Sequence, residues 1–499
     1  MAALGVFTAQ RKFFVVGDES IVTIRQPYLQ NVRQDRATVM WATETPGEGA
    51  HVVYSADGKT FRIVFAQSQY YPANGETGLQ GPFAQHVATL NRLQPNTRYE
   101  YYPVVSGEPV GAGSRFRTAG PGPFRFLVLG DSGMGTTAQI RIASRLNLET
   151  DAAFLVHVGD IAYGHGNFGE FQKNHFDIYR EIMERIPFFT APGNHEYDMP
   201  NAAAYMALHS PPTETVPPAE RGRYYSFDWG NVHFVSLDSH EAPATNQGSF
   251  RKAILGTGDM LNWLRRDLRS TRQFWKVVFF HHPPYAGGQN YGDLIEHDVR
   301  EFLCPILEAN GVQLVLNGHE HSYQRTSAVK DTRRDGSSTI VKDGTGTVYM
   351  TMGGGGATLY QNIFPLRESA FWQVINHFGR VDVNGGRLTL RAISETGSQI
   401  DSVTISPLPV LAGANPIAFE PDQRAGSLLR IRGFNLASQE TFTQTATAAL
   451  GGTSVRLNTK SLGLVYASPT QLVCQLLESA SGPLKLAITT ANGTEEFSL

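Results

Sequence analysis

The chain has 499 residues, of which 41% are hydrophobic and 17% are charged, and this is the composition of a globular protein. Forty-two lysine and arginine residues against 45 aspartate and glutamate residues give a net charge of −3. The chain therefore lacks the excess of basic residues that would indicate a nucleic-acid or anionic-lipid partner. The apolar runs are too short for a membrane span, and two cysteines are too few for a disulfide scaffold or a cysteine-based zinc site.

The N-terminal stretch is not predicted to be a signal peptide. Arg11 and Lys12 precede only four apolar residues, at positions 13–16, and no small-residue cleavage pattern follows. The stretch therefore gives no indication of compartment.

Residues 20–120 are predicted to form an all-β domain. The stretch 37–41 is a predicted strand that buries Trp41, and residues 93–99 have the pattern of a corner that enters a strand at Tyr99. Short alternating runs separated by turn residues are typical of a β-sandwich. The segment resembles a fibronectin type III domain, and residues 119–122, with the sequence AGPG, form a predicted linker.

Residues 123–405 change in character, because apolar runs of strand length alternate with helical stretches. The predicted strands are 124–129, 154–158, 187–190, 277–280, 312–316, 348–352, 380–383 and 388–393. The predicted helices are 137–148, 259–268 and 294–304. Continuous apolar strands interleaved with helices predict a layered α/β domain whose sheet is buried on both faces.

Residues 408–499 return to short strands that are separated by glycine and proline, as at Gly433 and Pro469. This pattern resembles an immunoglobulin-like domain of the TIG type. Cys304 and Cys474 fall in different predicted domains, so no disulfide is expected between them.

Five short polar motifs follow five of the central strands. In chain order they are GDSG at 130–133, GDIAY at 159–163, GNHE at 193–196, HHPPY at 281–285 and GHEH at 318–321. Because ligands of open α/β sheets bind beyond the carboxyl ends of the strands, we expect the five motifs to meet at that edge.

Each motif also has a structural interpretation when it is taken alone. Asp131 and Asp160 could cap a helix or a turn, and Asn194 could be an ordinary turn residue after glycine. Tyr163 could pack in the core, and His281 could be a structural histidine beside prolines. Five such strand ends in one domain, four of them with a preceding glycine, favour a metal site over five separate coincidences.

The residue types indicate which metals such a site would hold. Carboxylate, phenolate, amide oxygen and imidazole suit hard or borderline cations, and no thiolate is offered. Two cations about 3.5–4 Å apart can clamp a phosphoryl group and hold a hydroxide between them. Side chains two apart on an extended segment point to the same side, so His319 and His321 could serve adjacent ions. The glycines would let the backbone approach the metals without Cβ clashes.

The order DxG, GDxxY, GNHE, a histidine after an apolar strand, and GHxH resembles the purple acid phosphatase branch of the metallophosphoesterases. The resemblance covers about residues 123–405, and the fibronectin-like domain before them fits that family. It implies a central α/β metallophosphoesterase sandwich flanked by two all-β immunoglobulin-like sandwiches. It also implies two metal ions, Fe(III) and one of Zn(II), Fe(II) or Mn(II).

The ligands implied by the resemblance divide into two sets that share one carboxylate. The Fe(III) ligands would be Asp131, Asp160, Tyr163 and His321. The ligands of the second ion would be Asp160, Asn194, His281 and His319. A tyrosinate on Fe(III) gives the purple branch its colour, so Tyr163 is the most discriminating residue.

The implied reaction is hydrolysis of a phosphate monoester at acid pH, by attack of a metal-bound hydroxide on phosphorus. His195 is the candidate for contact with the phosphate or the leaving group, and His282 is a second catalytic candidate. Plant relatives carry a histidine pair some nine residues after the strand-end histidine, where this chain has Asn290 and Tyr291. Asn290 is therefore a candidate substrate contact, and the leaving-group acid stays open.

Two other functions stay open. One is a phosphodiesterase or nucleotide-cleaving enzyme on the same centre, and the other is a non-catalytic cell-surface binding protein. The seven candidate ligands argue against the second of these. The resemblance further implies a small phosphate-ester substrate and a secreted or extracytoplasmic location, while the sequence does not indicate the oligomeric state.

Overall fold

The computed structural model describes residues 21–240, 248–341, 345–411, 416–420, 427–476 and 483–498. The N-terminal stretch that contains Arg11 and Lys12 lies outside this part of the chain. The domain boundaries at 20–120, 123–405 and 408–499 remain predictions. Within the described ranges, no helix has both the length and the apolar composition needed to cross a membrane.

The N-terminal β-domain has two antiparallel sheets in the described part of the chain. Their strand orders are β1-β2-β6-β5 and β4-β3-β7-β8, with β9 also paired to β7. The strands are β1 Thr23–Gln30, β2 Arg36–Thr43, β3 His51–Ser55, β4 Arg62–Phe65, β5 Gln67–Tyr71, β6 Phe83–Asn91, β7 Arg98–Val105, β8 Glu108–Pro109 and β9 Ser114–Arg117. Trp41 is fully buried, as predicted. The predicted corner is present too, because the Tyr99 hydroxyl accepts the backbone N–H of Gln94 at 2.9 Å.

The central domain has one two-stranded sheet, β18-β19, and two large mixed sheets. The two large sheets agree with the sandwich implied by the resemblance, whereas the apolar strand pattern alone predicted one sheet. Their orders are β12-β11-β10-β22-β23-β24 and β13-β14-β15-β16-β20-β17-β21. The strands are β10 Phe124–Leu129, β11 Ala152–His157, β12 Phe188–Thr190, β13 Tyr225–Trp229, β14 Val232–Ser236, β15 Trp275–Phe279, β16 Leu314–Asn317, β17 Tyr323–Thr326, β18 Val329–Lys330, β19 Thr339–Ile340, β20 Val348–Met352, β21 Ser369–Gln373, β22 His377–Asn384, β23 Arg387–Ser394 and β24 Gln399–Ile405. Strands β10 to β12 are parallel, and so are β14, β15, β16 and β20.

The two central sheets pack face to face through aromatic side chains. Phe126 and Phe154 of the first sheet each approach Phe234 of the second, with ring centroids 5.2 Å apart. Successive residues of a strand point to opposite faces, so Leu127 and Leu155 pack on the other side, in a cluster with helix residues. Each of these strands is therefore buried on both faces, which explains its continuous apolar sequence.

Eight α-helices of the described residues lie in this domain. They are α1 Thr137–Leu146, α2 Phe168–Phe171, α3 Asp177–Met183, α4 Ala203–Leu208, α5 Ser249–Ile254, α6 Met260–Ser270, α7 Leu294–Asp298 and α8 Cys304–Ala309. The predicted helices 137–148 and 259–268 correspond to α1 and α6. The predicted helix 294–304 is divided, because a π-turn at Val299–Leu303 separates α7 from α8.

The C-terminal strands form a separate hydrophobic core. The sheet orders are β25-β27-β32-β31-β28, with β26 paired to β27, and β30-β29-β33-β34. The strands are β25 Val410–Leu411, β26 Ile417–Glu420, β27 Leu428–Phe434, β28 Thr441–Thr447, β29 Ser454–Leu457, β30 Lys460–Ser461, β31 Gly463–Ala467, β32 Gln471–Gln475, β33 Lys485–Thr490 and β34 Gly493–Ser498. Cys304 and Cys474 are both buried and unbridged, as predicted.

Candidate metal centre

The five motifs meet where the carboxyl ends of the two central sheets come together. Strands β10, β11 and β12 lead into Asp131, Asp160 and Asn194, while β15 and β16 lead into His281 and His319. All seven predicted ligand side chains lie in one network of contacts. The centre therefore lies between two sheets and not at the edge of a single one.

Asp131, Tyr163 and His321 form one end of the centre. The Tyr163 hydroxyl lies 3.2 Å from Asp131 Oδ1 and 3.0 Å from His321 Nε2. His321 Nδ1 lies 2.7 Å from the carbonyl oxygen of Thr358 and donates its hydrogen there, so the Nε2 lone pair faces the tyrosine. Burial and the charges of Asp131 and Asp160 raise the pKa of Tyr163 well above its usual value. A phenolate at this position therefore requires a strong positive charge beside it, such as a metal ion.

Asn194, His281 and His319 form the other end. Asn194 Oδ1 lies 3.0 Å from His281 Nε2 and 3.0 Å from His319 Nδ1, and the two ring nitrogens are 3.3 Å apart. His281 Nδ1 lies 3.0 Å from the carbonyl oxygen of Val158, which fixes the ring with Nε2 toward the centre. Polar atoms this close need a proton or a metal ion among them, so the arrangement fits a cation.

Asp160 lies between the two ends. Its Oδ1 is 3.3 Å from His281 Nε2, and carboxylate atoms of Asp131 and Asp160 lie within 4.8 Å of each other and of a His281 nitrogen. Burial lowers the pKa of His281, but the charge and hydrogen bond of Asp160 outweigh burial and raise it to about 9. The centre thus stabilises positive charge, and its oxygen and nitrogen donors suit hard or borderline metals.

Three of the candidate ligands have an unusual backbone conformation. Asp131, Asp160 and His319 have φ values of 55°, 53° and 69°, in the left-handed region. Residues other than glycine adopt this conformation at a cost of order 1–3 kcal/mol each, and they do so most often at functional sites. The surrounding structure therefore stabilises three strained residues in order to direct their side chains inward.

Two glycines allow the strand ends to approach each other. A Cβ on Gly159, whose φ is +102°, would lie 2.6 Å from His281 Nδ1. A Cβ on Gly318 would lie 2.4 Å from Asp131 Oδ2. These two glycines therefore admit the close approach of the motifs to each other, while the predicted approach of the backbone to metal ions stays a prediction.

Glu196 holds two of the loops together, and sequence reasoning gave it no role. Its Oε1 accepts the backbone N–H groups of Ile161 at 2.8 Å and Ala162 at 3.2 Å. Its Oε2 accepts those of Gly193 at 2.7 Å and Asp160 at 3.0 Å. Burial and the charge of Asp160 raise the pKa of Glu196, so the four donors are what stabilise its ionised form. Only the position of this residue inside GNHE could have indicated the role.

His195, a predicted catalytic and substrate-binding residue, lies beside the centre and reaches solvent. Its side chain is 31% exposed, and its Nε2 lies 3.9 Å from Asp160 Oδ2. The ring lies over Tyr163 with centroids 4.4 Å apart, and Nδ1 contacts the carbonyl oxygen of Gly164 at 2.9 Å. The ring is therefore anchored on one edge, with its Nε2 directed toward the centre.

His282 and Asn290, the other predicted site residues, are used differently. His282 is 5% exposed, and its Nδ1 contacts the hydroxyl of Ser239 at 2.9 Å. Burial and the neighbouring histidines lower the pKa of His282 well below its usual value. Asn290 Nδ2 donates to the carbonyl oxygen of His319 at 3.2 Å. Both residues brace the ligand loops, and their predicted contacts with substrate remain predictions.

Two further residues support the GHEH loop and were not found from the sequence. Glu320 accepts the backbone N–H groups of Gln289 at 2.8 Å and Asn290 at 3.0 Å. Tyr360 stacks on His321 with ring centroids 4.1 Å apart and an interplanar angle of 10°. Tyr360 lies in an irregular segment, eight residues after the end of strand β20. No local sequence pattern predicts that its ring stacks on His321.

Comparisons with known proteins agree with this geometry. The family model of the purple acid phosphatase N-terminal domain matches residues 24–118, and that of calcineurin-like phosphoesterases matches residues 124–323. Purple acid phosphatase 23 of Arabidopsis thaliana is 26% identical over 325 residues, which cover 58% of this chain and 66% of the relative. Probable inactive purple acid phosphatase 9 of the same plant is 26% identical over 309 residues, with coverage of 52% and 46%.

A solved structure has a similar fold. A purple acid phosphatase from yellow lupin seeds superposes with a TM-score of 0.64 at 20% identity, over 76% of this chain and 74% of that chain.

Proposed function

The chain belongs to the purple acid phosphatase family of metallophosphoesterases, and we propose that it hydrolyses phosphate monoesters as an acid phosphatase. The observation that carries this proposal is the convergence of seven oxygen and nitrogen donors from two sheets, with Asp160 between two sets of three. A set divided around one shared carboxylate suits a pair of metal ions and not a single one.

The two ends of the centre would hold different ions. Asp131, Tyr163 and His321 offer a phenolate and a carboxylate, which suit Fe(III). Asn194, His281 and His319 offer an amide and two imidazoles, which suit Zn(II), Fe(II) or Mn(II). Such a metal pair supplies a strong nucleophile near neutral or acid pH and neutralises charge on the phosphoryl oxygens.

His195 is the residue that we assign to the substrate oxygens. Its exposed Nε2 faces the side of the centre where Asp160 lies, and its Nδ1 is held by the Gly164 carbonyl oxygen. In this position it can hydrogen-bond a phosphoryl oxygen or the leaving-group oxygen. His282, buried and turned to Ser239, orients the His281–His319 end of the centre instead.

The proposal is tested by comparing p-nitrophenyl phosphate with bis(p-nitrophenyl) phosphate on protein whose metal content has been measured. We expect the monoester to be hydrolysed with the higher kcat/KM, and we expect Asp160→Asn to abolish that activity and lower the metal content. A higher rate on the diester would favour the phosphodiesterase alternative. Metal-free protein that stays inactive after iron and zinc are added would favour a non-catalytic binding protein.

The cellular setting is also part of the proposal. A small phosphate ester as substrate and a secreted or extracytoplasmic location both follow from the family and from its acid phosphatase activity. We also propose that the N-terminal domain is of the fibronectin type III kind and that the C-terminal domain is of the TIG type.

A further inference from the structure

A groove of about 710 Å³ adjoins the candidate metal centre. Tyr163 and Met134 line it on the side of the centre, and the segment 78–83 of the N-terminal β-domain lines it opposite. Residues 167–174, which include α2, form its third wall. The groove is far larger than a phosphoryl group, so it can accept a leaving group of many atoms. A wider cleft of about 1080 Å³ lies elsewhere, but its Arg36 is already paired with Glu214.

A buried arginine without an ion pair lines this groove. Arg25 is 3% exposed, and its Nη1 donates to Gln85 Oε1 at 2.7 Å. The guanidinium lies 4.5 Å from the ring centre of Phe176 and 5.2 Å from that of Phe83. Its Nε is buried without a hydrogen-bond partner, and no carboxylate of the described residues forms a salt bridge with it. Buried arginines are rare unless they are paired, and the charge of Asp177 acts on this one without a salt bridge, so it has capacity for an anion.

A second positively charged side chain, that of Lys173, lines the groove. Lys173 is exposed and forms no salt bridge within the described ranges. It belongs to the turn Gln172–Phe176, which directly follows α2. Arg25 and Lys173 thus offer one anchored and one mobile positive charge to the same volume.

The carboxylates of the groove differ in their availability. The Glu170 oxygens accept the backbone N–H groups of Gly164, His165 and Asn167 at 2.9, 2.9 and 3.1 Å, so they are already used. Glu44 is exposed in the groove wall. Its negative charge repels an anion in the groove. Removal of this charge should therefore strengthen anion binding, whereas removal of the Lys173 charge should weaken it.

We propose that this groove binds the leaving group of the ester, and that the preferred substrates carry a second anionic group, phosphate or carboxylate, at the far end of that group. This inference rests on the proposed phosphatase function. Leu79, Met134 and Phe168 give the groove apolar walls that suit a methylene chain or a ring between the two anions. Arg25 and Lys173 then contact the second anion, while the first lies at the metal centre.

The test uses the metal-loaded full chain and three esters of matched length. These are hexyl phosphate, hexane-1,6-diol bisphosphate, and the phosphate ester of 6-hydroxyhexanoate. We expect kcat/KM to be higher for the two esters that carry a second anionic group than for hexyl phosphate. Which of the two is preferred identifies the second anion as phosphate or carboxylate. Equal values for all three esters would overturn the inference.

Variants then assign the effect to the groove. Lys173→Gln should lower the ratio of kcat/KM for the bisphosphate over hexyl phosphate by roughly 1.5- to fivefold, the range for one solvent-screened charge contact. Glu44→Gln should raise this ratio. Lys59→Gln, an exposed lysine outside the groove, is the matched control. Because Arg25 is buried and its replacement would disturb the packing around it, the test uses the exposed residues Lys173 and Glu44.

Phenyl phosphate separates failure of this inference from failure of the proposed function. Its leaving group has no second anion, so its hydrolysis reports on the metal centre alone. Absence of that hydrolysis would overturn the proposed function. The groove inference alone would be overturned by a different result. In that result phenyl phosphate is hydrolysed, but Lys173→Gln and the control Lys59→Gln have the same ratio of kcat/KM for the bisphosphate over hexyl phosphate.

Discussion

Replacement of Glu196 by glutamine is expected to loosen the loops that present Asp160 and Asn194. Glu196 is fully buried, and its two carboxylate oxygens together accept four backbone N–H groups. Glutamine has one oxygen, so two of these four donors would face an amide NH₂ instead of an acceptor. The perturbation is small in volume and acts almost entirely on hydrogen bonding.

The magnitude follows from the two donors that lose their acceptor. An unsatisfied buried donor costs about 1–3 kcal/mol, so two of them cost roughly 2–6 kcal/mol. For a domain of this size, 1 kcal/mol shifts Tm by about 2–4 °C, so we expect a decrease of about 10 °C in the transition of the central domain. The same loosening should reduce metal content, because the loops present candidate ligands to both ends of the centre.

Differential scanning calorimetry can follow the central domain, and metal analysis of the same samples reports the centre. Glu100→Gln is the matched control, since Glu100 is exposed on strand β7 of the N-terminal β-domain. If Glu196→Gln had the Tm and metal content of this control, the four hydrogen bonds would not hold the loops, and the reasoning would be wrong.

Three further perturbations test separate parts of the structure. Tyr163→Phe removes the hydroxyl that lies 3.0 Å from the candidate ligand His321, and it should eliminate any visible charge-transfer band of iron-loaded protein; an unchanged spectrum would reject the tyrosinate. Gly318→Ala places a Cβ 2.4 Å from a carboxylate oxygen of the candidate ligand Asp131 and should cost about 1–3 kcal/mol of stability together with metal affinity, whereas Gly75→Ala, which meets no atom within 4 Å, should change neither. His233 lies 2.7 and 2.8 Å from two carboxylates, whose hydrogen bonds and charges outweigh burial and raise the pKa of His233 to about 9. Its contribution, at most about 3 kcal/mol, is complete below the unfolded pKa of about 6.5 and is lost as the pH rises from there through 9, so the Tm difference between wild type and His233→Gln should narrow between pH 6.5 and pH 9.

The strand ends could be read from the sequence because apolar runs stop abruptly at polar residues. Strand β10 has the predicted bounds, and Asp131 follows it as expected. The division into two sheets was implied only by the family resemblance and could not be read from the strand pattern, because a strand that is buried between two sheets and one that is buried between a sheet and helices have the same apolar sequence. The prediction therefore brought the five motifs together correctly but assigned them to one sheet edge.

Residues whose role depends on contacts with distant parts of the sequence could not be predicted either. Glu196 accepts N–H groups from a loop more than 30 residues earlier in the chain, and apart from its place in the GNHE motif nothing in its immediate sequence distinguishes it from a surface glutamate. Tyr360 is aligned over His321 by an irregular segment whose course depends on the packing of the glycines at 353–356 against neighbouring loops. Only the folded chain reveals such partners.

The residues at positions 290 and 291 have a consequence for the leaving group. Asn290 donates to the carbonyl oxygen of His319, and Tyr291 packs its ring 5.2 Å from that of Phe364. Both side chains are thus used to hold their own loop. His195 is then the imidazole beside the centre that combines solvent exposure with a fixed orientation. A leaving group that needs a hydrogen-bond donor would find it there, on the side of the centre where Tyr163 also borders the groove.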